Sequence, residues 1–430
     1  MKHALFVSFH YPPDGTSSGV WRTLKHTRYL GDHGWRVTVL CPEVSAYDAV
    51  DDAMLEQVPA SVRIVRTPYR NSKRHFGLRG RYLALSALPD VWIGWLPWAL
   101  AAGMRVARED PVDLIYSTSP PSTAHLIGWG LAHRLGRPWV ADFRDPWIED
   151  SPEPGAPSGA VYRKIDRWLE QRVVDRCSHC VTTTEPLRAL LAGRHAEAAA
   201  ERITVIPNGY DEADFAGLPT GASGTPRSDR LSIVHAGLIN PHFRDPAPLL
   251  RALRLAADSG GLDANRVRLR FLGGGGYADS GPLRAAIADT GLAGSVEFVP
   301  RMPYADALRE LSQADVLLLL QASEDTRGLV PAKLYEYLRM QKPVLALVLA
   351  GESSQLIERA GGGVAVDPAD PAQLASELAG LYRRWQDGTL DRQHADPAVL
   401  QRYERRGLTR ELAAIFDRLV DSRPAAVRPA

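Results

Sequence analysis

Cysteine is scarce in this chain, with three in 430 residues: Cys41, Cys177 and Cys180. An odd, low count excludes a disulfide framework. Cys177-Ser178-His179-Cys180 has metal or redox spacing, but no second pair completes a zinc site, so the segment reads as thiols at the start of a buried strand. Long apolar runs are missing as well, which excludes a spanning helix. The opening apolar stretch, residues 4–9, is broken at once by His10-Tyr11-Pro12-Pro13, too short for a signal peptide. The cytoplasm is therefore the expected compartment. Charge of either sign is in no excess, 51 basic against 50 acidic residues, so the overall field gives no reason to expect nucleic acid. The chain also lacks a three-glycine dinucleotide loop and a P-loop, and no Asp-x-Asp sequence forms a convincing divalent-metal site.

What is present is apolar material for large cores, 45% hydrophobic residues with 23% charged, in a chain long enough for two domains. Short β-branched runs alternate with helical patterns from end to end, the signature of parallel α/β structure. The first set lies at residues 5–9, 37–41, 62–65, 114–117, 139–143, 180–183 and 203–206. The second lies at 232–235, 268–272, 296–299, 316–320, 344–347 and 364–366. Helical stretches at 21–30, 122–135 and 248–257 fall between them. Pro207-Asn208-Gly209 and the Gly/Pro/Ser/Thr-rich residues 216–228 mark a junction. The expected organisation is an N-terminal domain at 1–207, a linker at 208–230, a second domain at 231–395, a terminal helix at 396–422 and a disordered tail at 423–430.

In open α/β sheets ligands bind beyond the carboxyl ends of the strands, so chemistry is sought in those loops. After the first strand, Gly15 and Gly19 permit close backbone approach, and Thr16, Ser17 and Ser18 precede a helix. A strand ends in Asp142-Phe143-Arg144-Asp145, charges beside Trp147 that suit acceptor positioning or an ion pair. In the second half, Gly237 follows a strand and Arg244 has paired donors for a diphosphate. Residues 324–338 hold Pro331, fit for a helix start, and Lys333 in that first turn, a cation where the helix dipole disfavours one unless it has an anionic partner. Glu336 shares its face.

With these blocks the chain resembles the GT-B glycosyltransferases of family 4, a retaining group that includes many bacterial polysaccharide and glycolipid enzymes. The resemblance spans almost the whole chain. It rests on Pro12 to Gly15, the Val140 to Trp147 strand, Ile206-Pro207-Asn208-Gly209-Tyr210-Asp211, the Gly237 loop and Pro331 to Leu338 followed by Gln341-Lys342-Pro343-Val344. It implies two facing Rossmann-like doubly wound domains, a nucleotide-diphosphate sugar of the UDP or GDP type as co-substrate and no cofactor. Glu336 would hydrogen-bond the ribose, and Arg244 and Lys333 would neutralise the departing diphosphate without a metal. Backbone near Arg301 and Met302 would frame the base. Amides from Gly328 through Leu329 to Val330 would hold phosphate or sugar. Gly15 and Thr16 would approach from the other domain, with Asp142, Arg144 and Asp145 on the acceptor side. The chain departs from the family pattern in three places: Gly328 stands eight before Glu336 where a second glutamate is usual, Leu238 follows Gly237 where arginine is common, and Arg144 matches the usual histidine.

Arg66, Arg70, Lys73, Arg74, Arg79 and Arg81 form a basic run ahead of Trp92, Trp95 and Trp98. Such a segment, residues 66–98, suits an anionic membrane surface or a lipid diphosphate acceptor, at about 1 kcal/mol per charge near the surface. Peripheral placement on the inner face of the plasma membrane is the corresponding expectation. Two other readings stay open at this stage, a nucleotide-sugar 2-epimerase of the same architecture and a non-catalytic nucleotide-sugar-binding protein.

Overall fold

The computed structural model describes residues 1–75, 84–148, 159–195, 200–218, 228–390 and 394–422. Each of the thirteen expected apolar runs is a strand. β1 (Lys2–Ser8), β2 (Trp35–Pro42), β3 (Arg63–Thr67), β4 (Leu114–Ser119), β5 (Trp139–Phe143), β6 (His179–Thr182) and β7 (Ile203–Val205) form one sheet in the order 3-2-1-4-5-6-7. β8 (Leu231–Ala236), β9 (Val267–Leu272), β10 (Val296–Val299), β11 (Val316–Gln321), β12 (Val344–Val348) and β13 (Gly363–Val366) form the other, in the order 10-9-8-11-12-13. All pairings are parallel. Helices cover both faces of such sheets, so the central strands are buried along their length and read as continuous apolar runs rather than alternating ones. In the first sheet, Leu5 and Val7 pack in one layer while Ala4 and Phe6 pack in the other.

Two compact units result, Met1–Pro207 with Arg405–Ala430, and Asn208–Glu404. The terminal segment 396–422 is not one helix. Pro397–Gln401 stays with the second unit, while Arg405–Asp421 returns to the first. The reason is its apolar stripe: Leu408, Leu412, Ile415 and Phe416 are buried in the layer around Phe6, Trp35 and Tyr116. Lys2 clamps the helix through Asp417 and Asp421, both at 2.8 Å. The start of the expected linker is likewise docked, with Tyr210 and Phe215 buried in the second unit and Glu212 holding Arg339 by two 2.7 Å bonds. Residues 219–227, the tail 423–430, and Arg79 and Arg81 of the basic run lie outside the described residues.

Each sheet reverses its winding once, between β1 and β4 in the first and between β8 and β11 in the second. These are the two places where adjacent loops diverge and leave room for a ligand.

Candidate functional site

At the reversal in the second unit, β8 ends at Ala236 and the chain turns through Gly237 at φ +113°, backbone that favours glycine. Its amide is tied to Leu272 O at 2.8 Å and that of Ala236 to the Tyr337 hydroxyl at 3.0 Å. The Lys333 ammonium reaches across to donate to Ala236 O at 2.6 Å. It lies 2.7 Å from where a β-carbon on residue 237 would stand. Burial, and then the nearby Arg244 charge, push Lys333 down to about 7, with Glu336 acting the other way. Burial also lowers Arg244, whose guanidinium lies 4.9 Å from the Phe243 ring centroid. The loop carrying it is rigid: Asn240 Oδ1 accepts from the amides of His242 and Phe243, both at 3.0 Å, and Phe243 O accepts from Ala322 just past β11. Two cations thus crowd one half-buried spot, an arrangement that an anion relieves.

Lys333 sits in the helix Ala332–Arg339. Pro331 is its N-cap rather than its first-turn residue and supplies no capping side chain. The amides of Ala332 and Lys333 donate to no group among the described residues, so the helix opens with the free donors that bind anions. One turn on, Glu336 Oε1 accepts from the Tyr304 hydroxyl at 2.7 Å. Tyr304 begins the earlier helix Tyr304–Ser312, just after half-buried Met302 and exposed Arg301, the latter bordering Gly273. In the stretch 328–330, the Leu329 amide is already spent on Thr326 O at 3.1 Å and its carbonyl on Ser353 at 3.0 Å, and Val330 is buried. Leu329 is therefore a turn residue, not an open donor.

In the first unit the expectations need more correction. Asp142 is wholly buried and has no face for a substrate. Arg22 holds both its oxygens, through Nε at 3.0 Å and Nη2 at 2.9 Å, while Tyr116 and Thr118 donate to Oδ2 at 2.6 and 2.9 Å. Burial raises its pKa, but the Arg22 charge and these bonds outweigh that and hold the carboxyl at about 2. Gly15 donates its amide to Ala49 O, and Thr16 turns both its amide and its hydroxyl to Asp14 Oδ1, at 2.8 and 2.5 Å. Neither keeps an open backbone donor. Arg144 is buried at 6% exposure and locked to the carbonyls of Ser119 and Pro120, at 2.7 and 2.8 Å. Its guanidinium fills the space a side chain on Gly19 would need, so that glycine is there for close approach. Half-buried Asp145 makes no hydrogen bond or ion pair among the described residues. Burial raises its pKa against the pull of Arg144.

Sequence reasoning missed four groups. His10, at the carboxyl end of β1, holds Asp14 at 2.6 Å through Nδ1. His235 is fully buried, with Nδ1 on Leu318 O at 2.9 Å. Tyr337 and Tyr304 fix Ala236 and Glu336. The His-x-x-x-Asp spacing of 10 and 14 was a visible signal; the tyrosines carried none, since their partners lie about 30 and 100 residues away. The basic run is partly committed to the protein itself: Arg66 donates to the carbonyls of Pro12 and Pro42, Arg74 pairs with Asp48, and Trp95 is buried with its indole N–H on Thr67 at 2.7 Å. Arg70 lies over exposed Trp98 at 5.7 Å.

With this geometry in hand, comparison with known proteins is informative. The family model "Glycosyl transferase 4-like domain" matches residues 18–209, and "Glycosyl transferases group 1" matches 230–384. No curated protein sequence matches significantly. Among solved structures, Anabaena Alr3699/HepE in complex with UDP superposes at TM-score 0.67 with 17% identity, covering 97% of this chain and 100% of that one. The sucrose-phosphate synthase of Thermosynechococcus elongatus gives 0.68 with 14% identity, covering 98% and 100%. A putative UDP-N-acetylglucosamine 2-epimerase from Listeria monocytogenes gives 0.58 with 13% identity, covering 99% and 98%. At such identities the superpositions establish the architecture, and with the two domain models, which between them take in most of the chain, they place this protein among the GT-B glycosyltransferases, family 4.

Proposed function

We propose that the protein transfers a hexose, with retention of anomeric configuration, from a UDP- or GDP-sugar to a lipid-linked or polysaccharide intermediate, without an essential divalent cation. The observation that carries this is the crowding of Lys333 and Arg244 at the open start of the helix Ala332–Arg339, where burial and then the Arg244 charge drive Lys333 down to about 7. A diphosphate fits this site in charge and in donor geometry. In the reaction the bond from the anomeric carbon to the diphosphate oxygen breaks and a bond to an acceptor oxygen forms. The acceptor hydroxyl's proton passes to the departing diphosphate oxygen, and the negative charge that builds on that diphosphate as its bond breaks is stabilised by the two cations and the Ala332 and Lys333 amides. Glu336, steadied by Tyr304, receives the ribose hydroxyls. Asp145 and Arg144 form the acceptor side, Asp145 as the unpaired carboxylate there. The HepE structure, solved in complex with UDP, supports the choice of donor class by analogy of fold.

The test is a panel of UDP- and GDP-sugars with a membrane lipid extract, reading nucleotide diphosphate release and product mass with and without a chelator. Transfer from one donor that persists in chelator and falls at least ~100-fold in Glu336→Ala supports the reading. Isomerisation of the free nucleotide sugar assigns the protein to the epimerases instead. Binding with no turnover under any acceptor condition refutes catalysis.

A further inference from the structure

The helix Ala160–Arg176 buries Leu169, Val173 and Val174 in the core of the first unit, yet it also turns acids inward and apolar groups outward. Two of its three acids point inward: Glu170 is 2% exposed, with Arg194 at 3.3 Å, and Asp166 accepts the Trp147 indole N–H at 2.7 Å. Two apolar groups, its one tryptophan among them, point outward, Val161 at 65% and Trp168 at 48% exposure. These are seven residues apart, so they stand in line along one face. Lys164 lies between them on that face. Arg163, Arg167 and Arg176 are exposed, and half-buried Arg172 sets its guanidinium 5.3 Å from the Trp168 ring centroid. Against these five cations the helix exposes one acid, Asp175. Asp175 lies seven residues beyond Trp168, on the same outward face, and the cations around it leave that face net positive.

A tryptophan left half in water forfeits burial that a core site would have supplied. Indole rings and arginine stems both gain at a lipid headgroup boundary, and a basic outer face gains from anionic lipid. Val161 decides between occupants of like charge preference, because an aliphatic side chain gains nothing against a phosphate backbone but does in acyl chains. The helix start is also fastened near the other exposed indole: the Tyr162 hydroxyl donates to the carbonyls of Ala87 and Pro89, ahead of Trp98. We infer that the outer face of Ala160–Arg176 is the surface by which this protein rests on an anionic bilayer, with Val161 and Trp168 entering the interface and Lys164, Arg167 and Arg172 at phosphate level. The inference deepens the lipid-acceptor reading above, yet vesicle binding asks nothing of the donor site, so either can fail alone.

The experiment is co-sedimentation of the full chain with phosphatidylcholine vesicles and with vesicles containing about one-third phosphatidylglycerol. Binding to the anionic vesicles only is expected. Val161→Ser with Trp168→Ala should weaken it at least ~10-fold, and Lys164→Glu with Arg167→Glu and Arg172→Glu should reduce it about fivefold or more per charge. Leu255→Ala, an equally exposed apolar residue of the second unit, should leave it unchanged. Melting curves and UDP binding report whether each variant is folded. Equal binding to neutral vesicles, or anionic binding that both outer-face variants retain, overturns the proposal. So does self-association in light scattering that Trp168→Ala abolishes, which would make the face a contact between copies, or salt-resistant retention of RNA.

Discussion

The Lys333 ammonium stands 2.7 Å from the point a β-carbon on Gly237 would occupy, and it is held there by Ala236 O at 2.6 Å. One residue's missing side chain is thus the other's seat. Gly237→Ala adds a methyl group where the lysine sits and puts alanine at φ +113°, a backbone cost of roughly 1–3 kcal/mol. The expected result is a lower melting temperature together with a loss of UDP-sugar affinity of at least ~10-fold, measured by calorimetric titration. Loss of stability with unchanged affinity would detach Lys333 from the donor.

Lys333 also sets a pH dependence. With its folded pKa at about 7 against about 10.4 unfolded, the unfolded chain binds more protons between those values. The strain of keeping this lysine charged is therefore full below about pH 7 and fades as pH rises toward 10.4. A bound diphosphate favours the charged form, so affinity for a UDP-sugar, whose diphosphate does not titrate here, should fall as pH rises from 6 to 9. Lys333→Met should flatten that profile and raise the melting temperature of the unliganded protein by roughly 2–4 °C. A wild-type profile as flat as the variant's would contradict the assignment.

The buried Arg22–Asp142 pair predicts the opposite kind of phenotype. Asp142→Asn leaves a buried guanidinium without its counter-charge, at a cost of about 3–5 kcal/mol. Because Asp142 titrates at about 2 when folded and about 3.9 unfolded, its contribution is complete above pH 4 and disappears as pH falls through 2. Acid unfolding followed by near-ultraviolet circular dichroism should shift to higher pH in the variant. Nucleotide affinity of the second unit should stay at the wild-type level.

Much of this was legible beforehand, because the relevant signals are local. Thirteen apolar runs became thirteen strands, and the 331–338 block delivered both Lys333 and Glu336 to one helix face, as its spacing required. The mistakes share a physical cause. Asp142 looked like a cleft residue because its neighbours are charged, but its fate was decided by Arg22, 120 residues away, which no spacing rule connects to it. Gly15 and Leu329 sit where open amides are useful, yet Ala49 and Thr326 had already claimed theirs. The outward Trp168 escaped notice because the helix buries an acid among its apolar groups, Glu170 beside Leu169, Val173 and Val174, so apolar periodicity alone does not mark the exposed face.

Tyr304 offers the sharpest test of how Glu336 works. Its hydroxyl donates to Glu336 Oε1 at 2.7 Å from the first residue of its own helix, fixing the carboxylate's orientation across a gap between two elements. Removing one such bond to a charged group costs about 1.5–3 kcal/mol, so Tyr304→Phe should weaken UDP binding by roughly 10- to 150-fold. If the phenol acts through Glu336 on the ribose, the loss must depend on both the carboxylate and the sugar hydroxyls. Tyr304→Phe should then cost little in a Glu336→Gln background, and little for a 2′,3′-dideoxy nucleotide in the wild-type background. A penalty that stays the same in all three settings would mean that Tyr304 meets the nucleotide directly and that Glu336 owes its position to something else.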